Sequence, residues 1–147
     1  MRSSSLVEDI LKDITTTLNP MIPRASREAQ LLLMAHLSCD ELWLMTNKKS
    51  EVKDVDKLFQ WVNRRAKNEP LEYITNKVSF YSEEFYIASG ALIPRPETEL
   101  FIDEVINNIS NPHAKITFVE VGIGSGIISI MLALKFPHAK FIAVDIS

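Results

Sequence analysis

Apolar residues recur at helical spacing through the first part of the chain, at Leu6, Val7, Ile10, Leu11, Ile14 and Leu18, until Asn19-Pro20 breaks the run. A second helix is expected from near Pro23, a tolerated first-turn proline, to Leu37, carrying Ala29, Leu32, Leu33 and His36. Asp40 is placed to cap a short third helix over 41–46 that holds Trp43 and Leu44. Val55, Leu58, Phe59, Val62 and Ala66 form an apolar stripe among Lys53, Asp54, Asp56, Arg64 and Arg65, which predicts a fourth helix. No period of roughly 20–50 residues repeats, so the first half reads as a small bundle and not a solenoid.

The pattern then changes. Pro70 opens a connector over 69–76. Val78-Ser79-Phe80-Tyr81 and Phe85-Tyr86-Ile87-Ala88 are β-prone, with Ser82-Glu83-Glu84 as the expected turn of a hairpin. Ile93-Pro94-Arg95-Pro96 must be extended, because each proline biases its predecessor away from helix. A helix follows, with Glu97 and Glu99 in its positive first turn and Leu100, Phe101, Val105, Ile106 and Ile109 on one face, until Asn111-Pro112. The end reads as β-α-β: a strand over 116–121, a tight turn over 122–126, an apolar helix over 127–136 and a strand over 141–144 ending in Asp145. The strands alternate little, which predicts a parallel sheet covered on both faces.

Composition supports a change of architecture. Residues 1–80 hold 12 Lys/Arg, 11 Asp/Glu and no glycine, whereas 81–147 hold 4, 8 and all four glycines. At 147 residues, 46% apolar and 24% charged, with a net charge of −3, the chain has no global basic excess for nucleic acid. The single cysteine, Cys39, excludes an internal disulfide. The longest apolar run, over 126–134, is far short of the roughly 18 residues of a membrane span. The N-terminus turns acidic at Glu8-Asp9 before a signal-peptide core could form. The expectation is a soluble cytoplasmic protein with no membrane or DNA partner.

Val119-Glu120-Val121-Gly122-Ile123-Gly124-Ser125-Gly126 is the chemically informative segment. Glycines there let the backbone turn sharply and let a ligand approach, while the next helix offers unpaired amides. Asp145, 19 residues after Gly126, can accept both hydroxyls of a ribose. A dinucleotide fingerprint needs its third glycine three residues after the second; here the gap is two. Glu120 would repel a pyrophosphate and attract an ammonium, which favours S-adenosylmethionine over NAD. The bland reading is a glycine turn that only packs helix on strand.

Glu69-Pro70-Leu71-Glu72-Tyr73-Ile74-Thr75, then Leu92-Ile93-Pro94-Arg95-Pro96-Glu97-Thr98-Glu99, the glycine turn, and Ala143-Val144-Asp145 follow in an order and spacing that resembles a known family. It is the protein-(glutamine-N5) methyltransferases of peptide chain release factors, the HemK/PrmC family. Arg27-Glu28-Ala29-Gln30-Leu31-Leu32-Leu33 is similar to part of its N-terminal substrate-recognition domain. Asn76 stands where the family usually has Gly, and asparagine tolerates left-handed angles. The resemblance implies a small all-α helical bundle at 1–74 and a β-hairpin linker at 75–95. At 96–147 it implies the start of a Rossmann-like α/β class I methyltransferase domain, truncated after its second strand. The cofactor is expected to be S-adenosyl-L-methionine. Its site would comprise Glu120, acting through water on the ammonium, Gly122, Ile123, Gly124, Ser125, Gly126 and Asp145, with Arg95 and Thr98 at the methionine end. The implied reaction is N5-methylation of the glutamine in the Gly-Gly-Gln loop of release factors, near the ribosome, by a monomer when complete. The family's Asn-Pro-Pro-Tyr motif has no counterpart here, so this chain alone is expected to be inactive, with no catalytic residue assigned. The alternatives are a non-catalytic partner-binding helical module with a residual Rossmann fragment, and a nicotinamide enzyme.

The remaining residues have plain readings. Cys39 is expected to be a semi-buried structural thiol, His36 a core-edge residue, and Trp43 and Trp61 bundle core. No histidine pair has metal-ligand spacing. Arg64-Arg65-Ala66-Lys67 with Lys48-Lys49 reads as a solvated face, with an acidic protein or ribosomal RNA as the sharper alternative.

Overall fold

The computed structural model describes residues 5–146; Met1, Arg2, Ser3, Ser4 and Ser147, and with them the first part of the N-terminal stretch read for a signal peptide, lie outside the described residues. Two compact units meet at the Thr75–Asn76 bond. The first contains α1 (Val7–Leu18), α2 (Ala25–Leu37), α3 (Glu41–Thr46), α4 (Val55–Ala66) and α5 (Leu71–Thr75). The second contains β1 (Lys77–Phe80), β2 (Glu83–Tyr86), α6 (Glu97–Asn108), β3 (Thr117–Val121), α7 (Ile127–Lys135) and β4 (Lys140–Val144). The hairpin residues that the sequence set apart as a linker group with the second unit.

In the first unit, α1, α2 and α4 pack on one another around Ile10, Ile14, Leu32, Leu33, Leu58 and Val62, all fully buried. The α1 stripe emerges as predicted because four of its apolar residues, Val7, Ile10, Ile14 and Leu18, fall on one face. No side chain caps α1; the amides of Val7 and Glu8 instead donate to the carbonyls of Ser50 and Lys48, both at 3.0 Å. Asp40 caps α3 as expected, accepting the Trp43 amide at 2.7 Å. Three expectations are corrected. Pro23 lies before α2, not in its first turn, because Arg24 takes a left-handed φ of 59° and the helix begins at Ala25. The connector over 69–76 contains the helix α5, whose neighbourhood is anchored by Arg64: its guanidinium holds the Glu69 carboxylate through two nitrogens and donates to the Tyr73 carbonyl at 3.2 Å. Trp43 is 36% exposed and outside the core, whereas Trp61 packs against it.

The Arg64 pairing holds the Glu69 carboxyl below its usual range. Its contribution is present above the unfolded glutamate range and fades as pH falls through the lowered value. Arg65 donates to Glu28 at 2.8 Å, tying α4 to α2. Arg64 and Arg65 are thus paired with carboxylates within the bundle, which removes two of the five cations of the expected basic face.

The second unit opens at Asn76, left-handed at φ 56°, the angle for which asparagine is suited. Its Nδ2 donates to the Ile87 carbonyl at 3.0 Å and its own carbonyl accepts from the Ile87 amide, closing the base of the hairpin. Asn76→Ala should cost the second unit about 1–3 kcal/mol, from left-handed strain and one lost hydrogen bond, and Asn76→Gly less. Hydrogen exchange of the hairpin amides checks this; equal rates in the two variants would overturn it.

The hairpin turn is tighter than predicted. It is Tyr81-Ser82, with φ of 54° and 64°, the paired positive angles of a two-residue type I′ turn. Neither residue favours that region, and tertiary bonds compensate: the Tyr81 amide donates to Glu99 Oε1 at 2.7 Å and its hydroxyl donates to Asp103. That hydroxyl bond, burial and the two carboxylates hold the phenol above its usual range. The contribution is present below the unfolded phenol range and fades as pH rises through the raised value.

On α6 the buried residue is Ile102, while Leu100 and Phe101 are 69% and 54% exposed, so the expected face is rotated. β3 and β4 pair in parallel with Phe118 opposite Phe141 and Glu120 opposite Ala143. Phe118 stacks on Phe141 at 5.0 Å and meets Phe136 at a tilt at 5.5 Å, and α7 buries Ile127, Met131 and Leu132. The expectation of a sheet covered on both faces is met only in part among the described residues: Val119 and Val121 are 67% and 82% exposed. No described helix is long and apolar enough to cross a membrane.

Candidate functional site

The β3–α7 turn is built by its backbone. The Gly122 and Ile123 amides donate to the Val144 carbonyl at 2.8 and 3.2 Å, which carries the turn alongside the end of β4. Gly124 and Gly126 then take φ of 53° and 76°, and the Gly126 amide closes onto Ile123 at 2.9 Å. A side chain would strain both positions. A Cβ on Gly122 or Gly124 would meet nothing within 4 Å, so the loop faces open space. The amides of Ser125, Ile127 and Ile128 donate to no described residue, as the first turn of a helix requires.

Seven of the nine residues singled out from sequence, Arg95, Thr98, Glu120, Gly122, Ile123, Gly124 and Ser125, line one cavity of about 180 Å³. Gly126 is not in the lining and directly precedes α7. Asp145 does not line the cavity; its Oδ2 accepts the Gly124 amide at 2.8 Å and its Oδ1 the Ile146 amide at 2.7 Å. At about 180 Å³ the cavity is below the roughly 300–1,000 Å³ of small-molecule sites. A second, mostly apolar cavity of about 320 Å³ adjoins it, with Phe101, Phe118 and Leu132 in its wall and Glu120 and Gly122 shared with the first.

Sequence reasoning missed Ser129. Its hydroxyl donates to Glu120 Oε2, joining α7 to β3 at the boundary of the two cavities. The signal was available, because Ser129 is the lone polar residue between Ile127 and Leu134 in an otherwise apolar helix. Also unforeseen is the approach of His113 and His138, whose rings lie 5.4 Å apart. Among the described residues no group of three or more His, Cys, Asp or Glu is placed to hold a metal.

The first unit carries a larger groove of about 800 Å³, with His36, Cys39, Asp40, Trp43, Lys57 and Trp61 in its lining. His36 meets Trp61 edge-on at 5.8 Å and shares a 2.8 Å hydrogen bond with the Lys53 carbonyl, as a core-edge histidine would. Lys57 lies over the Trp61 ring. Burial, with Asp40 adding, raises the Cys39 thiol above its usual range, which disfavours the reactive thiolate.

Residues 9–75 match the PrmC N-terminal domain family. The chain is 39% identical over 127 residues to the release factor glutamine methyltransferase of Koribacter versatilis, covering 85% of this chain and 44% of that protein. It is 40% identical over 120 residues to that of Dictyoglomus turgidum, covering 82% and 42%. With that of Clostridium botulinum it shares 34% over 144 residues, covering 93% and 50%. The chain therefore spans half the length of these curated relatives or somewhat less.

Proposed function

We propose that the chain is a relative of the release factor glutamine methyltransferases it is similar to, that it corresponds to their N-terminal part, and that its second unit holds the methyl donor S-adenosylmethionine. On this reading β3, α7 and β4 form the first βαβ unit of a Rossmann-like class I methyltransferase domain. The carrying observation is that seven residues drawn from two distant motifs surround one cavity, with Asp145 bonded to its loop.

When bound, the donor supplies an electrophilic sulfonium methyl. The chain's own residues bind and orient. Gly122, Ile123, Gly124, Ser125 and Gly126 cradle the methionine and ribose, and the open space at Gly122 and Gly124 fits that task. Asp145 accepts the ribose hydroxyls, held beside the glycine loop by its bond to the Gly124 amide. Glu120 meets the ammonium through water, and Arg95 and Thr98 line the methionine end. The acceptor in the whole enzyme is the side-chain amide of a glutamine in the Gly-Gly-Gln loop of a release factor, in the cytoplasm. No residue of this chain is assigned to the transfer step.

The test is a thermal-shift comparison of S-adenosylhomocysteine with NADH on the 147-residue chain. A ligand at about 100 times its Kd stabilises the folded form by about 2.7 kcal/mol. A shift with S-adenosylhomocysteine alone is expected, and a shift with NADH alone, or with neither, would overturn the reading. In the last case the second reading takes over, a partner-binding helical module, for which the groove beside the exposed Trp43 speaks.

A further inference from the structure

A serine inside an apolar helix has a default arrangement: its hydroxyl folds back onto the carbonyl four residues earlier. Thr15, Thr16 and Thr17 do this in α1, donating to Leu11, Lys12 and Asp13 at 2.7–2.8 Å. Ser129 has Ser125 at the corresponding place and does not use it. Its hydroxyl leaves the helix and donates to Glu120 Oε2 on β3.

That bond falls on the carboxylate shared by both cavities of the second unit. The other oxygen of Glu120, Oε1, takes no hydrogen bond from any described residue. No described side-chain nitrogen or oxygen is buried without a partner, so Oε1 is reached by solvent. One oxygen is tied and the other open. A glutamate side chain otherwise samples many rotamers and loses up to about 2 kcal/mol of entropy when held in one. A hydroxyl clamp on Oε2 meets that cost before any ligand arrives.

We infer that Ser129 is a positioning residue: by clamping Glu120 Oε2 it presents Oε1 to the cavity at Gly122 and Arg95, so that adenosyl ligands carrying an amino-acid ammonium are preferred over those without one. This inference rests on the S-adenosylmethionine reading of the cavity.

The experiment compares two ligands that differ in the amino-acid tail, S-adenosylhomocysteine and 5′-methylthioadenosine. Both are titrated into the 147-residue chain while the amide signals of Gly122, Gly124 and Ser125 are followed by NMR. The unsubstituted chain should prefer S-adenosylhomocysteine. Ser129→Ala, which improves helix propensity and so preserves α7, should weaken S-adenosylhomocysteine roughly three- to tenfold, the range of one net hydrogen bond. It should leave 5′-methylthioadenosine unchanged. Ser129→Thr, which keeps the hydroxyl, should restore the preference. In a Glu120→Gln background the Ser129→Ala effect should vanish, a coupling that a merely structural serine would not produce. Equal weakening of both ligands by Ser129→Ala, or no weakening of either, overturns the inference and leaves the cofactor reading standing. Failure of the unsubstituted chain to bind either ligand overturns both.

Discussion

Leu32→Ala is expected to destabilise the first unit by about 2–5 kcal/mol, a large part of the stability of so small a bundle. Leu32 is fully buried on α2, in a core shared with Ile10 and Ile14 of α1 and Leu58 and Val62 of α4. Truncation removes three heavy atoms from a place where rigid helices cannot close the gap, so a cavity term adds to the lost transfer energy. Both tryptophans, Trp43 and Trp61, belong to the first unit. Denaturant unfolding followed by tryptophan emission therefore reads that unit alone. A loss under about 1 kcal/mol would mean that the α1–α2–α4 core relaxes around the vacancy and is not packed as described.

Asp145→Ala carries the second large effect, on binding. The carboxylate supports the glycine loop through the Gly124 amide and, on the proposed reading, accepts the ribose hydroxyls. Loss of a charged acceptor is worth about 1.5–3 kcal/mol, or roughly ten- to hundredfold in the affinity for S-adenosylhomocysteine by calorimetry. Asp145→Asn separates the two tasks, because its amide oxygen can still accept from Gly124 but carries no charge. If Asn retains the loop's amide signals and yet loses affinity, the carboxylate acts on the ligand. If Asn restores affinity fully, Asp145 only shapes the loop. Unchanged affinity in Asp145→Ala would remove Asp145 from the site.

Elements whose reasons are local were legible. The bounds of α3 follow from the Asp40 cap, and those of α1 and α4 from apolar stripes that need no knowledge of their partners. Features that rest on distant partners were not. Tyr81-Ser82 contains no glycine or asparagine to announce a left-handed turn; it exists because Glu99 and Asp103, 18 and 22 residues on, bond to Tyr81. The helix α5 follows a proline and looked like a connector, until Arg64 reached the Tyr73 carbonyl nine residues away. The buried side of α6 centres on Ile102, which the sequence reading leaves out in favour of Leu100 and Phe101, because periodicity cannot tell which apolar residue meets a neighbour.

The site divides in the same way. Sequence alone determined that a glycine turn joins strand to helix, that Glu120 precedes it, and that Asp145 follows a second strand. Those are consequences of backbone angles and apolar runs, which are written residue by residue. Only the tertiary structure decided that Arg95 and Thr98 share a cavity with that turn, that Asp145 bonds to Gly124, and that Ser129 holds Glu120. Each of those joins residues 9 to 30 positions apart in the chain, and such pairings depend on how packed elements bring side chains together, which no local pattern records.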